Sequence, residues 1–448
     1  MTEKSVVCNS APLIAQKRES FFEFFYLSVL IVYSGHANRF VAAGSNLGNP
    51  IWFLIPVVLA FFLMIKRRVP FNWQFYLLIV CFLIYFFAIT IKYGDLRPRF
   101  FLNYFLIFFV AYVTIKGLKG DFFYLYEVII FYSAIIGLTL WAIQFILGGD
   151  VLYNVLGKIS SIDDFSNVSE NGLNIIVYSV QPSSSSYRFD FLPPRNCGFA
   201  WEPGGFAVYL CLAIFSNLFI SNSAQNSKLR FWVLLFALIT TQSTTGYVIL
   251  LVILGFYFLN KNLNIVIILL PLIVAALVFV FALPFMKDKI VSLIKETSDI
   301  NSIVEASIGR ETSINPQRFA SFAIAFRDFK DNPILGLGGQ DEESWTYKIG
   351  ANVSKITGIG YILSQFGMVG FLFFTLVSLK TSIALAKWFN YRGGGLLFIV
   401  ILFISISYSI VLSPLIMGFW MYGMFNGPNH NKTIGILSKS RKAGFLYK

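Results

Sequence analysis

Arg195-Asn196-Cys197-Gly198-Phe199-Ala200-Trp201-Glu202-Pro203-Gly204-Gly205-Phe206 marks the point where a long polar stretch gives way to an apolar one. From Gly204 to Ile220 the chain is almost wholly apolar. A membrane span needs about 20 such residues, fewer where neighbouring helices or interfacial aromatics make up the length. The stretch therefore reads as the outer mouth of a membrane helix, with an arginine and a glutamate seven residues apart at the water boundary.

Working outward, the same change from polar to apolar recurs along all 448 residues. Hydrophobic residues make up 57% and charged residues only 13%, whereas soluble chains are nearer half apolar and a quarter charged. The reading predicts an all-α polytopic membrane protein of about twelve transmembrane helices, with two large outer loops that contain short amphipathic helices. The spans fall near 21–35, 51–65, 73–91, 101–115, 122–147, 204–220, 230–242, 245–259, 264–283, 359–379, 394–411 and 413–425, with both termini inside. This divides the chain into a five-helix region (1–147), a first outer loop (148–203), helices six to nine (204–283), a second outer loop (284–358), and C-terminal helices with a tail (359–448).

Basic residues test the orientation, because short cytoplasmic loops retain Lys and Arg. Nineteen of the 35 fall in segments assigned to the inside and only four in short outer loops, which supports it. The net charge of +13 thus belongs to topology and to anionic lipid rather than to nucleic acid. The first apolar segment, Phe21 to Tyr33, carries Glu23 and lacks a small-x-small cleavage site, so it reads as a membrane helix and not a signal peptide. Of the four cysteines only Cys197 faces outward, so no disulfide framework is implied.

Residues 230–259 are interrupted by Gln242-Ser243-Thr244-Thr245-Gly246. A single helix of that length would rise roughly 45 Å, more than a bilayer core, so two short helices joined by a polar turn are expected. The turn either lines a covered cavity or forms an ordinary surface hairpin. In the second outer loop, helical pieces are expected at Met286–Lys295 and Gln317–Lys330. In the latter, Phe319, Phe322, Phe326 and Phe329 form one apolar stripe suited to the membrane interface. Arg318 flanks that stripe more closely than Arg327 does. Glu23 and Glu127, near cytoplasmic ends, read as interfacial.

His36 and His430 are the only histidines, and neither lies in a long outer loop, so a His-ligated metal or a Ser-His pair is not expected there. No phosphate loop or dinucleotide fingerprint is present, and no cofactor is expected. What remains outside is arginine, carboxylate, glycine and aromatic rings. Arginine binds phosphate oxygens in a fork and stays charged; a half-buried carboxylate can take a proton from an attacking hydroxyl. Arg195 and Glu202 are the catalytic candidates, with a structural ion pair between them as the alternative. Arg318, Arg310, Arg188, Arg99 and Gln317 form the substrate-binding set, although each arginine taken singly also fits a solvated or snorkelling side chain.

Three motifs in order carry a resemblance: Arg195-x-x-Gly198-x-x-x-Glu202-Pro203-Gly204, the Thr241–Gly246 turn, and Gln317-Arg318 leading through Asp331-Asn332-Pro333 to Gly336-Leu337-Gly338. Over roughly 195–375, including Gly360 to Gly370, the chain resembles the Wzy-type O-antigen and capsule polymerases, within the group that includes the O-antigen ligases. The resemblance implies a glycosyltransferase of the bacterial inner membrane with its active site facing the periplasm. Its substrate would be an undecaprenyl-pyrophosphate-linked oligosaccharide, its surroundings membrane lipid, and a chain-length regulator a possible partner. In such enzymes arginines of the two outer loops are thought to handle pyrophosphate, which matches Arg195 and Arg318 here. Ligases of the group tend to carry a histidine where this chain reads Asn352-Val353-Ser354, which favours polymerase over ligase. Many relatives have Ser-Arg-Gly where this chain has Ser243-Thr244-Thr245-Gly246, so no arginine comes from that turn. A flippase or transporter is the third reading; no internal repeat supports it.

Overall fold

The computed structural model describes residues 13–35, 50–149, 151–152, 173–180, 193–221, 227–261, 300–309, 314 and 316–426. It is almost entirely helical. The N-terminal region contributes α1 (Leu13–Ser34), α2 (Pro50–Arg67), α3 (Trp73–Tyr93), α4 (Pro98–Leu118) and α5 (Asp121–Leu147). After a two-stranded hairpin, β1 (Leu173–Ile175) and β2 (Tyr178–Val180), come α6 (Pro203–Phe215), which continues as a π-helix over Ser216–Ile220, α7 (Ser227–Thr240) and α8 (Thr244–Lys261). The second loop supplies α9 (Ile300–Glu305), α10 (Arg318–Asp331) and α11 (Trp345–Lys348). The chain then runs through α12 (Gly358–Phe389), α13 (Leu396–Ser407), α14 (Pro414–Trp420) and α15 (Tyr422–Phe425).

Helix covers most of eleven of the twelve expected spans, the last two of them interrupted; 264–283 lies outside the described residues, as does the expected helix at Met286–Lys295. Among the described residues, six helices are long and apolar enough to cross a membrane: α3, α4, α5, α6 with its π-helical end, α8 and α12. Apolar side chains such as Phe61, Phe62, Ile84, Trp232 and Leu376 stay exposed on these and neighbouring helices, the reverse of a soluble surface. The last expected span is not one helix. Ser413 caps α14 through the Ile416 amide and Pro414 occupies its first position, while a break at Met421 separates α15.

α6 is the centre of the bundle. All thirteen of its α-helical residues are buried, and it packs on α5, α7 and α8. Gly246 makes the approach of α8 possible, since a Cβ there would lie 2.7 Å from the Ala207 Cβ.

Glu23 and Glu127 were expected at the interface and are instead buried, at 2% and 0% exposure. Glu23 receives the Arg67 Nε at 2.8 Å, and Glu127 receives the Arg230 Nε at 2.6 Å. Each carboxylate faces a cation from the adjoining helix, which offsets part of the cost of taking it out of water.

α12 breaks at Gly367, where φ is 61° and ψ is −158°. The freed backbone groups are taken up by the loop that follows α10: Leu337 N donates to Ser364 O (2.9 Å), Gly338 N to Gln365 O (2.7 Å), and Met368 N to Pro333 O (2.8 Å). Irregular backbone at membrane depth is tolerated when protein covers it in this way. The segment between α10 and α12 is therefore keyed into the bundle, and the position of α10 is fixed by it.

Candidate functional site

The loop before α6 is pinned on several sides. Asn196 N donates to Thr240 O (3.0 Å), and the Asn196 side chain donates to the Thr240 hydroxyl (3.0 Å) while accepting from Gly198 N (2.9 Å). Gln242 Nε2 reaches Pro193 O at 2.8 Å, and Trp201 N reaches Gly35 O at 3.3 Å. Gly198 has φ +49°, and a Cβ there would meet the Phe206 ring at 2.6 Å, so this turn requires glycine. The turn between α7 and α8 is buried, with Thr241 at 0% and Ser243 at 4% exposure. The first loop is part of its cover.

Glu202 is the N-cap of α6 in extended geometry, with Pro203 at the first helical position. Its side chain caps no amide, so the carboxylate is available for another partner. That partner comes from α10. This helix buries a face of small residues, Ala320, Ser321 and Ala325, with Ile324. The face seats on the start of α12, where a Cβ on Gly360 would lie 3.0 Å from Ala325. A buried ion pair, Asp328 to Lys355 at 2.6 Å, and the bond from Ile356 N to the Ser321 hydroxyl at 2.8 Å hold the opposite strand of the loop against it. The phenylalanine stripe is left on the other side: Phe319 is exposed, and Phe322 and Phe326 stack with centroids 5.8 Å apart.

So placed, α10 delivers Arg318 to Glu202. Nη2 lies 3.4 Å from Glu202 Oε1 and 2.5 Å from the Tyr408 hydroxyl, and Nη1 lies 3.1 Å from the Thr245 hydroxyl. The guanidinium also sits over the Tyr408 ring, 4.3 Å from its centroid. Thr245 in turn meets the Ser407 hydroxyl at 3.1 Å. Arg318 and Glu202 remain 31% and 35% exposed, so one side of the cluster is open. A cation in the first turn of a helix opposes the helix dipole; three acceptors and an aromatic face offset that here. Gly204 follows Pro203 in the first turn of α6. Its space is taken by Tyr408, since a Cβ on residue 204 would collide with the tyrosine hydroxyl. Among the described residues no three His, Cys, Asp or Glu side chains converge as a metal site requires.

Residues 229–375 match the family model described as O-antigen ligase. That stretch is similar to the O-antigen ligase family. No curated protein matches the chain. The matched stretch covers about a third of the sequence, from α7 into α12, and contains Arg318 and Thr245 but not Arg195, Glu202 or Tyr408. With the apolar helices, it supports a membrane enzyme that handles glycan.

Of the other sequence candidates, Arg310 and Gln317 lie within the matched stretch and Arg99, Arg188 and Arg195 before it. Arg195 is half-buried, its Nε has no hydrogen-bond partner among the described residues, and it forms no pair with Glu202; the carboxylate's cation is Arg318 instead. Arg99 is exposed at the start of α4. Its neighbour Arg97 is engaged, with Asp95 at 2.7 Å, Gln340 at 2.9 Å, and Glu342. Gln317 is the N-cap residue of α10 without a side-chain cap bond. Arg188 and Arg310 lie outside the described residues. Arg327 stacks on Trp345, 3.8 Å from a ring centroid, and points into the second loop rather than toward Glu202. Sequence reading missed Tyr408 and the part played by Thr245. Thr245 lies in the turn already singled out, whereas Tyr408 is marked only by the flanking Ser407 and Ser409 in an apolar run.

Proposed function

We propose that the protein is a periplasmic-face glycosyltransferase that polymerises undecaprenyl-pyrophosphate-linked oligosaccharide repeats into O-antigen or capsular polysaccharide. The observation that carries this reading is the meeting of Glu202 and Arg318, from the two outer loops, at the open end of α6. In the reaction, an acceptor sugar hydroxyl attacks the anomeric carbon of the chain on the carrier lipid. The new C–O bond forms as the bond from that carbon to the pyrophosphate breaks. Glu202 takes the hydroxyl proton, and the departing electron pair stays on the pyrophosphate oxygen, where Arg318 stabilises the charge. Arg195, whose Nε has no partner among the described residues, supplies a second cation for pyrophosphate. The phenylalanine side of α10, with Phe319 exposed and Phe322, Phe326 and Phe329 half-buried, rests in the outer leaflet and keeps Arg318 at headgroup level.

The second reading, transfer of finished glycan to a lipid A core, is favoured by the description of the matching family model. A deletion strain separates the two: loss of a polymerase leaves single capped repeats, loss of a ligase leaves polymer on the carrier lipid. Single replacement of Arg195, Glu202 or Arg318 by Ala, read as surface glycan on a gel, tests the site. Normal chain length at normal protein level would defeat the assignment.

A further inference from the structure

We propose that Tyr408 is a positioning residue, holding the Arg318 guanidinium in place while Glu202 gives it up to the pyrophosphate of the carrier-linked donor. The inference rests on the roles assigned above to Glu202 and Arg318.

The three polar contacts of Arg318 are unequal. The Tyr408 hydroxyl is the closest, at 2.5 Å, and the Glu202 oxygen the farthest, at 3.4 Å, beyond the roughly 2.7–2.9 Å of a firm charge-assisted bond. Tyr408 is also the fixed partner. It is 5% exposed, and its amide donates to Ile404 O at 2.8 Å. Trp201 meets its ring edge-on at 5.8 Å, and at Gly358 a Cβ would fall 2.5 Å from the Tyr408 carbonyl oxygen. Glu202 is the more open partner: 35% exposed, with no cap bond, its other contact being the same Tyr408 hydroxyl.

An anion arriving from the open side therefore competes with Glu202 and not with Tyr408. Held by ring and hydroxyl, the guanidinium stays at the mouth of α6 through the exchange. Glu202, released from the guanidinium on its open side, is then free to turn to the acceptor hydroxyl. Arrival of the donor thereby readies the carboxylate.

The test uses the full chain in lipid nanodiscs, titrated with inorganic pyrophosphate by calorimetry. Tyr408→Phe keeps the ring and removes the hydroxyl; affinity should fall on the order of tenfold, the size of a hydrogen bond to a charged group. Tyr408→Leu should fall further. Glu202→Gln should bind severalfold more tightly, because the competitor has lost its charge. Opposite signs at the two positions are a result that general damage to the fold would not give. Binding by Tyr408→Phe within twofold of the parent, or weaker binding by Glu202→Gln, overturns the proposal while leaving Arg318 as the anion site. If Arg318→Ala binds pyrophosphate as well as the parent, the underlying assignment falls and the proposal with it.

Discussion

Two carboxylate–arginine pairs sit at opposite ends of α6, and they are built differently. At the far end, Glu127 accepts the Arg230 Nε at 2.6 Å and the Asn217 amide at 2.7 Å, with side-chain exposures of 0% and 9% for the ion pair. Asn217 is presented by the π-helical end of α6, a local widening that turns a side chain out of the regular helical register. At the near end, Glu202 and Arg318 are about a third exposed, 3.4 Å apart, and surrounded by hydroxyls. The same two functional groups thus serve two purposes. A short, dry, amide-braced pair has no room to exchange partners and acts as a staple between α5 and α7. A long pair with an open side and alternative acceptors is one that a ligand can divide.

Breaking the staple should have the largest effect. Arg230→Ala strands the Glu127 carboxylate in the bundle, and removing one member of a buried pair costs about 3–5 kcal/mol. The expected outcome is a steep loss of folded protein in detergent, read by thermal unfolding and by yield. Adding Glu127→Gln to Arg230→Met should recover much of it, because no charge is then left buried. If Arg230→Ala alone unfolds at the parent temperature, the contrast between the two ends fails.

At the open end the expectation is reversed, with large loss of turnover and little loss of stability. Half-exposed pairs contribute about 0–1 kcal/mol to folding, so Glu202→Gln should leave the unfolding temperature almost unchanged. Loss of a general base lowers rate by roughly 10²–10⁴-fold, which assay with a lipid-linked repeat would detect. A variant that turns over normally returns Glu202 to a structural role.

How far this contrast was legible in the sequence depends on how far apart the partners lie. The apolar segments, the corner at Arg195–Phe206 and the interruption at Gln242–Gly246 are local patterns, and the structure has helix ends and a buried turn at these places. Glu127 and Arg230 are separated by 103 residues and Arg318 and Tyr408 by 90; nothing in either neighbourhood announces the other. Glu202 looked equally ready to pair with Arg195, its neighbour in sequence, because a seven-residue interval says nothing of which way each side chain leaves a pinned loop. The hairpin at 173–180 was unreadable for another reason. Its strands are three residues each and are held by the Tyr178 hydroxyl on Gln144 at 2.7 Å and by Ser179 N on Gly198 O at 2.8 Å, contacts from outside the segment.

Gly204→Ala sharpens the comparison by moving a wall of the open site without touching a charge. The added methyl would collide with the Tyr408 hydroxyl, so the tyrosine must rotate or α6 must shift. Overpacking of this kind costs about 1–3 kcal/mol. The expected outcome is a modest drop in unfolding temperature with a loss of turnover smaller than that of Glu202→Gln. Adding Tyr408→Phe, which removes the oxygen in the way, should restore the temperature but not the activity. Recovery of both would mean that the hydroxyl matters only as bulk.

Thr245→Val should have the smallest effect of the four, and it bears on whether the contacts of Arg318 act singly or as a unit. The Thr245 hydroxyl stands between Nη1 of Arg318 at 3.1 Å and the Ser407 hydroxyl at 3.1 Å, so valine keeps the shape and removes both bonds. One hydrogen bond to a charged group contributes about 1.5–3 kcal/mol, but the open side lets water replace part of it, so the loss should stay below that of Tyr408→Phe. Thr245→Ser, which keeps the hydroxyl, should retain activity near the parent. If Thr245→Val and Tyr408→Phe together cost more than their separate effects combined, the two hydroxyls hold Arg318 cooperatively, and the open pair is as much a unit as the buried one. Additive losses would instead mark each hydroxyl as an independent hold on a guanidinium free to change its carboxylate partner.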